Sequence, residues 1–244
     1  MITNLEFVEK ALDVAKNYKT LYVNGCFGAP LTLANKTRFI GKNKFNNGLT
    51  RKAKILAASA DTFGFDCVCF IKALLWGWSG DQKAQYGGAK YASNGVPDID
   101  TEGMIAVCRE VSTDFSAISI GEAVWLPGHI GVYVGGGKCV ECTPSWKDGA
   151  QITDVLNITG GGTGHRWAKH GKLPYVEYVS EAVPKAERTV LETGNDIVWQ
   201  LMHGPLKVEI SEPARAVKAL DEARESEEFM SLYWIIRKIV NGNK

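Results

Sequence analysis

The chain lacks net charge: 28 Lys and Arg against 27 Asp and Glu leave a formal +1. That excludes the broad electrostatic footprint of a nucleic-acid binder. No apolar run approaches the roughly 20 residues a membrane-crossing helix needs, so no membrane insertion is expected. The first ten residues, Met1 to Lys10, hold no basic segment followed by an apolar one, so no secretory signal is expected. They read instead as a helix start, with Thr3 as cap and Glu6 three residues on, burying Leu5, Val8, Leu12 and Ala15. The six cysteines have neither an export signal nor the small chain that disulfides usually staple, and are expected to be free thiols.

Cofactor motifs are missing as well. Cys139 and Cys142 are spaced like half a zinc site, but no second pair exists, and on a strand an odd separation sends them to opposite faces. Asp98, Asp100, Glu102 and Gly103 imitate the start of a calcium loop whose closing acidic position is instead Arg109, so a helix cap is expected there. Gly160 to Gly164 has no Lys-Ser/Thr ending and is a loop, not a phosphate cradle. No metal and no cofactor are expected.

What is present is a 244-residue chain with 45% hydrophobic content, enough for one sizeable core and a small second module. Asp66 is placed to cap an apolar helix in which Val68, Ile71, Leu74 and Leu75 recur at helical spacing, and Cys67 opens it. A thiol there faces unsatisfied backbone N–H groups and the positive end of the helix dipole, which favour the thiolate. Cys69, about 200° further round, should face the core. Downstream, the alternating runs Gly121 to Leu126 and Ile130 to Val134 predict strands, and Gly135-Gly136-Gly137 turns the second into Lys138 to Thr143. If that loop holds an odd number of residues, His129 lies opposite Thr143 and Glu141 shares its face on the diagonal. Thiol, imidazole and carboxylate then have the nucleophile, base and orienter logic of covalent acyl transfer.

These residues resemble the NlpC-type cell-wall cysteine peptidases, papain-like hydrolases of peptidoglycan stem peptides. The resemblance covers roughly 21–178 and rests on Tyr22-Val23-Asn24-Gly25, Asp66-Cys67, Gly121-Glu122 and the His129 hairpin. Val140 to Trp146 and Trp167 to Tyr175 are similar to lysins of phages and gut bacteria within that group. The resemblance implies an α+β papain-like core with a Cys-bearing helix packed on an antiparallel sheet. It makes Cys67 the nucleophile, His129 the base, Glu141 the third polar residue and Tyr22 a substrate or oxyanion contact, with Asp66 and Trp146 as further substrate-binding candidates. Glu141 stands where the family usually carries histidine or an amide, Cys26 stands where a second glycine is common, and the stretch from Tyr22 to Cys67 is longer than usual.

Seven basic residues and no acidic one lie between Asn35 and Ala60, read as a solvated face or an attraction for an anionic wall polymer. Trp76, Trp78, Tyr86 and Tyr91 are expected to pack in the core rather than hold a sugar. His165 and His170 are expected to be surface or structural, with His170 an outside candidate for substrate contact. The catalytic domain is expected over 1–180. Residues 187–244 read as a three-helix module that binds the wall, self-associates or packs on the enzyme.

The function so implied is a peptidoglycan hydrolase acting through a cysteine acyl-enzyme. Two linkages stay open: D-γ-glutamyl to diamino acid, and muramoyl to L-alanine. The expected partner is bacterial peptidoglycan, with no nucleic acid. The expected location is the bacterial cytoplasm, with action at the wall after release during phage lysis. Rival readings are a wall-binding module without the chemistry, and a thiol redox protein using Cys67 and Cys69.

Overall fold

A computed structural model of the protein describes residues 1–179; the expected three-helix module, and any self-association through it, lie outside the described residues. Helices and strands are mixed around a curled seven-stranded sheet. The strands are β1 (Ile2–Thr3), β2 (Thr20–Tyr22), β3 (Phe27–Pro30), β4 (Phe63–Phe65), β5 (Arg109–Ser112), β6 (Ala123–Leu126), β7 (His129–Gly135), β8 (Lys138–Thr143), β9 (Gly149–Val155), β10 (Gly164–His165), β11 (Lys169–Lys172) and β12 (Val176–Glu177). The helices are α1 (Asn4–Asn17), α2 (Leu33–Lys42), α3 (Lys44–Asn47), α4 (Leu49–Ala57), α5 (Cys67–Leu75), α6 (Thr101–Val107) and α7 (Leu156–Thr159). The large sheet runs β10-β9-β8-β7-β6-β11-β5, and β2, β4 and β3 form a small sheet of their own. Among the described residues, no helix is long and apolar enough to cross a membrane.

From β6 to β9 the chain is an antiparallel meander whose alternation sorts two cores. Ile130, Val132, Val140 and Cys142 pack with α1 and α5, whereas Tyr133 and Cys139 pack with Phe115, Val124, Val155 and Trp167. Cys139 and Cys142 therefore occupy opposite faces, as the strand period requires. All six cysteines are free.

Helix α5 is buried along its whole length and packs on β7 and β8. Even Lys72 is buried there, its ammonium held by Asp98 and, at 2.9 Å, by the Ile99 carbonyl. Asp100 caps α6 through Gly103 N–H at 2.8 Å, the role foreseen for the acidic run. Trp76 and Trp78 are core residues whose indole N–H groups donate to Val96 and Gly28 carbonyls, while Tyr91 is exposed.

The capping box of Thr3 and Glu6 forms, but α1 buries Asn4, Phe7, Val8, Ala11 and Val14. Of the four positions expected inside, only Val8 is fully buried. Phe7 and Asn4 turn the helix. Asn4 donates to the Ile120 carbonyl at 3.0 Å and accepts from Val179 N–H at 3.2 Å, which a solvent-facing asparagine could not do.

The long stretch between Tyr22 and Cys67 forms β3 and the helices α2 to α4 and returns as β4, pairing Tyr22 with Phe65. Tyr22 is thereby brought beside the start of α5. The basic cluster is partly spent on structure. Arg51 and Lys54 each meet Asp148 at 2.6 Å, tying α4 to the turn between β8 and β9.

Candidate active site

Asp66 is the N-cap of α5, and its oxygens accept N–H groups from Cys69 and Gly25, each at 2.7 Å. As expected, it caps the helix, and its second oxygen joins the Gly25 loop to the helix start; the side chain offered as a substrate-binding candidate is itself buried. Its carboxyl is pushed up by burial despite those two N–H donors.

Cys67 follows it in the first turn, 6% exposed. Backbone N–H groups of Val68, Ile130 and Cys67 itself act on its sulfur in the direction expected of a helix start. They do not win: burial, followed by the Asp66 carboxylate, pushes the thiol up to about 12. The preformed thiolate expected from the helix dipole is thus corrected, because the sulfur is buried and, secondarily, because the residue that caps the helix places a carboxylate beside it. At rest Cys67 is a thiol.

Ile130, whose N–H acts on that sulfur, follows His129 at the start of β7. The β7–β8 register pairs Gly131 with Glu141, so His129 and Glu141 share a face as expected. The loop differs from a three-glycine turn. Gly135 pairs with Lys138, Gly136 and Gly137 turn the chain with φ of 57° and 68°, and an irregularity between Tyr133 and Gly135 absorbs the odd residue. His129 Nε2 meets Glu141 Oε2 at 2.5 Å. The other ring nitrogen, Nδ1, is the one left for a proton from sulfur, although no hydrogen bond joins Cys67 to His129 in this structure.

Glu141 is fully buried, and its second oxygen accepts from the Thr153 hydroxyl. Burial works to raise its pKa, but the hydrogen bond from His129, the close approach of the His165 ring nitrogen, the His129 charge and Thr153 outweigh it and hold the carboxyl at about 2. The His129 ring lies nearly parallel to Trp167, 15° off with centroids 5.4 Å apart. Gly131 leaves room for this stack: a Cβ there would lie 3.2 Å from Glu141 Cβ and 3.4 Å from the Trp167 ring.

His165, set aside in the sequence as surface or structural, belongs here. Its Nε2 lies 3.3 Å from Glu141 Oε2 and its ring centroid 5.2 Å from that of His129. The approach is close without being an aligned hydrogen bond, since Nε2 is buried with no hydrogen-bond partner among the described residues. The donor atoms of His129, Glu141 and His165 lie within 4.8 Å of one another, the one such cluster of metal-ligating groups among the described residues. The two metal motifs weighed in the sequence were elsewhere.

Of the remaining candidates, Tyr22 stands beside Cys67, and burial together with the Cys67 and Asp66 charges raises its phenol. Trp146 is 48% exposed, in the turn after β8, its ring 5.1 Å from that of His165. His170 is buried, its ring held by Glu122 and, at 2.8 Å, the Asp114 carbonyl, which withdraws it as a substrate contact. An open pocket of about 640 Å³ lies on the other side of α5, lined by Cys69, Asp66, Lys72, Arg38 and Tyr86 but not by Cys67, His129 or Glu141. It is separate from the acyl-transfer groups. No protein-family model and no curated protein sequence matches the chain.

Proposed function

We propose that this chain hydrolyses an amide bond in the stem peptide of bacterial peptidoglycan through a thioester on Cys67, with a papain-like core and the role of a phage-type endolysin. The observation that carries the chemistry is the 2.5 Å His129–Glu141 pair on the strand whose next N–H, that of Ile130, acts on the Cys67 sulfur. The choice of peptidoglycan rests on the resemblance in sequence.

Because the resting sulfur holds its proton, His129 Nδ1 must take it as sulfur attacks the scissile carbonyl carbon. Glu141 holds the proton on Nε2, keeping Nδ1 as the acceptor, and stabilises the imidazolium that forms. The new C–S bond leaves an oxyanion, for which the backbone N–H groups around the sulfur, those of Val68, Ile130 and Cys67, are candidate donors. Collapse breaks the C–N bond and the amine leaves with the proton from His129. Water then attacks the thioester, His129 takes its proton, and the sulfur departs and is reprotonated. Tyr22 and Trp146 flank the two ends of this constellation as substrate contacts.

The test is mass spectrometry of fragments released from purified walls. New amino termini at the D-γ-glutamyl bond support the endopeptidase reading, and free L-alanine amino termini the amidase one. Incubation of Cys67→Ala with walls must release neither. Release by that variant at the wild-type rate would sink the mechanism.

A further inference from the structure

We infer that His129, Glu141 and His165 form a binding site for a zinc-like divalent cation, and that its occupation is incompatible with His129 acting as a base. The three donors come from β7, β8 and β10, which the large sheet holds in fixed register. Two imidazole nitrogens and one carboxylate oxygen are a set that zinc accepts with a fourth position open. Bonds of about 2.0 Å in a tetrahedral arrangement put donors about 3.3 Å apart. His165 Nε2 and Glu141 Oε2 are already 3.3 Å apart. His129 Nε2 and the same oxygen, at 2.5 Å, need open by less than 1 Å, within reach of small side-chain rotations.

Two further features point to a ligand. His165 Nε2 is buried and has no hydrogen-bond partner among the described residues, although it faces a carboxylate. Glu141 also commits its other oxygen to Thr153, which fixes the carboxylate so that Oε2 faces both rings.

A neutral imidazole carries one proton. When a metal takes Nε2, that proton must sit on Nδ1, the nitrogen that would accept from Cys67. Metal binding also draws Glu141 from its orienting hydrogen bond. The ion and the base thus exclude each other, and a zinc-like ion acts as a reversible inhibitor. The inhibition rests on the proposed hydrolase chemistry; the binding site does not.

The full-length protein, stripped with a chelator, is titrated with Co²⁺ and followed by visible absorption, which reports tetrahedral coordination. One equivalent should bind, with Zn²⁺ displacing it. His165→Ala should weaken binding at least about tenfold, and Cys67→Ser should leave it unchanged. Absence of the cobalt spectrum, or equal affinity in His165→Ala, would overturn the site. To allow for a variant that fails to fold, His165→Gln with circular dichroism provides the second reading. In the wall-release assay Zn²⁺ should inhibit saturably, with reversal by chelator, and activity retained by His165→Gln should need about tenfold more zinc. Activation by zinc would overturn the exclusion and point to a metallohydrolase. If the stripped wild type releases nothing from walls, the hydrolase reading fails, while the cobalt titration still decides the site.

Discussion

At the scale of single residues, burial and then the Asp66 carboxylate set the sulfur's resting state. With the thiol pushed up to about 12, Cys67 depends on His129 for deprotonation during attack. His129→Ala should therefore cost as much activity as Cys67→Ser, at least about a thousandfold, and the double variant should be no worse, since groups acting as one unit are not additive. Initial rates of amine release from walls check this; a Cys67→Ser loss well beyond that of His129→Ala would mean another group takes the proton. Cys69, buried and facing away, should when changed to serine alter stability rather than rate. Glu141 adds a pH signature. Its carboxyl is depressed from 4.5 to about 2, so its contribution to stability is complete above pH 4.5 and is lost as pH falls towards 2. Urea unfolding of wild type should lose stability across that window, and Glu141→Gln should lose less there, the difference being on the order of 3 kcal/mol at most. Identical acid limbs would contradict the assignment of this shift to the folded site.

At the scale of elements, the hairpin from β7 to β8 does the positioning, and its pivot is Gly131. A Cβ there would meet the Val140 carbonyl at 3.1 Å, Glu141 Cβ at 3.2 Å and the Trp167 ring at 3.4 Å. The first is backbone in the middle of a sheet and gives little, so the Trp167 ring and the stacked His129 must shift. Gly131→Ala should cost about 1 kcal/mol of stability but at least about tenfold in rate, since small misplacements of reacting groups are costly. Thermal unfolding and wall release together test it; unchanged activity would show that the Trp167 stack is not needed. Much of this element was legible. Alternation and three successive glycines gave the hairpin, and an odd loop would put His129 and Glu141 on one face. The turn closes instead over Gly136 and Gly137, and the irregularity between Tyr133 and Gly135 restores the shared face. His165 was not legible, because β10 is a two-residue strand after a glycine-rich loop and pairs in parallel with β9, leaving no alternation to read. The face of α1 was misread for a related reason. A buried asparagine with two backbone partners is invisible to a count of apolar residues, and it rotates the helix towards Phe7.

For the described unit, 1–179, closure is made by its own ends. β1 pairs in parallel with β12, Asn4 accepts from Val179 N–H, and the Tyr178 hydroxyl accepts from Leu173 N–H while donating to the Gly121 carbonyl, both at 2.9 Å. None of this could be read from the sequence. The β1–β12 and Asn4–Val179 contacts join residues more than 170 apart in the chain, and the Tyr178 bonds depend on the same folding back, so neither leaves a local pattern; the composition change near Glu187 marked only where such contacts had to be complete. A chain ending at residue 186 keeps every one of them, together with Cys67, His129 and Glu141. It should therefore fold cooperatively and cleave soluble muropeptides at close to the full-length rate. A chain ending at residue 174 keeps the same three residues but loses β12, Tyr178 and Val179. With the three part-buried hydrogen bonds of Tyr178 and Val179 gone, besides the β1–β12 pairing, it should lose about 3 kcal/mol, which for a unit of this size lowers Tm by about 10 °C. Calorimetry of the two chains beside the full-length protein separates the cases. Aggregation of the 186-residue chain would show that the end contacts do not suffice to close the unit, and equal Tm for the two shortened chains would show that they contribute nothing.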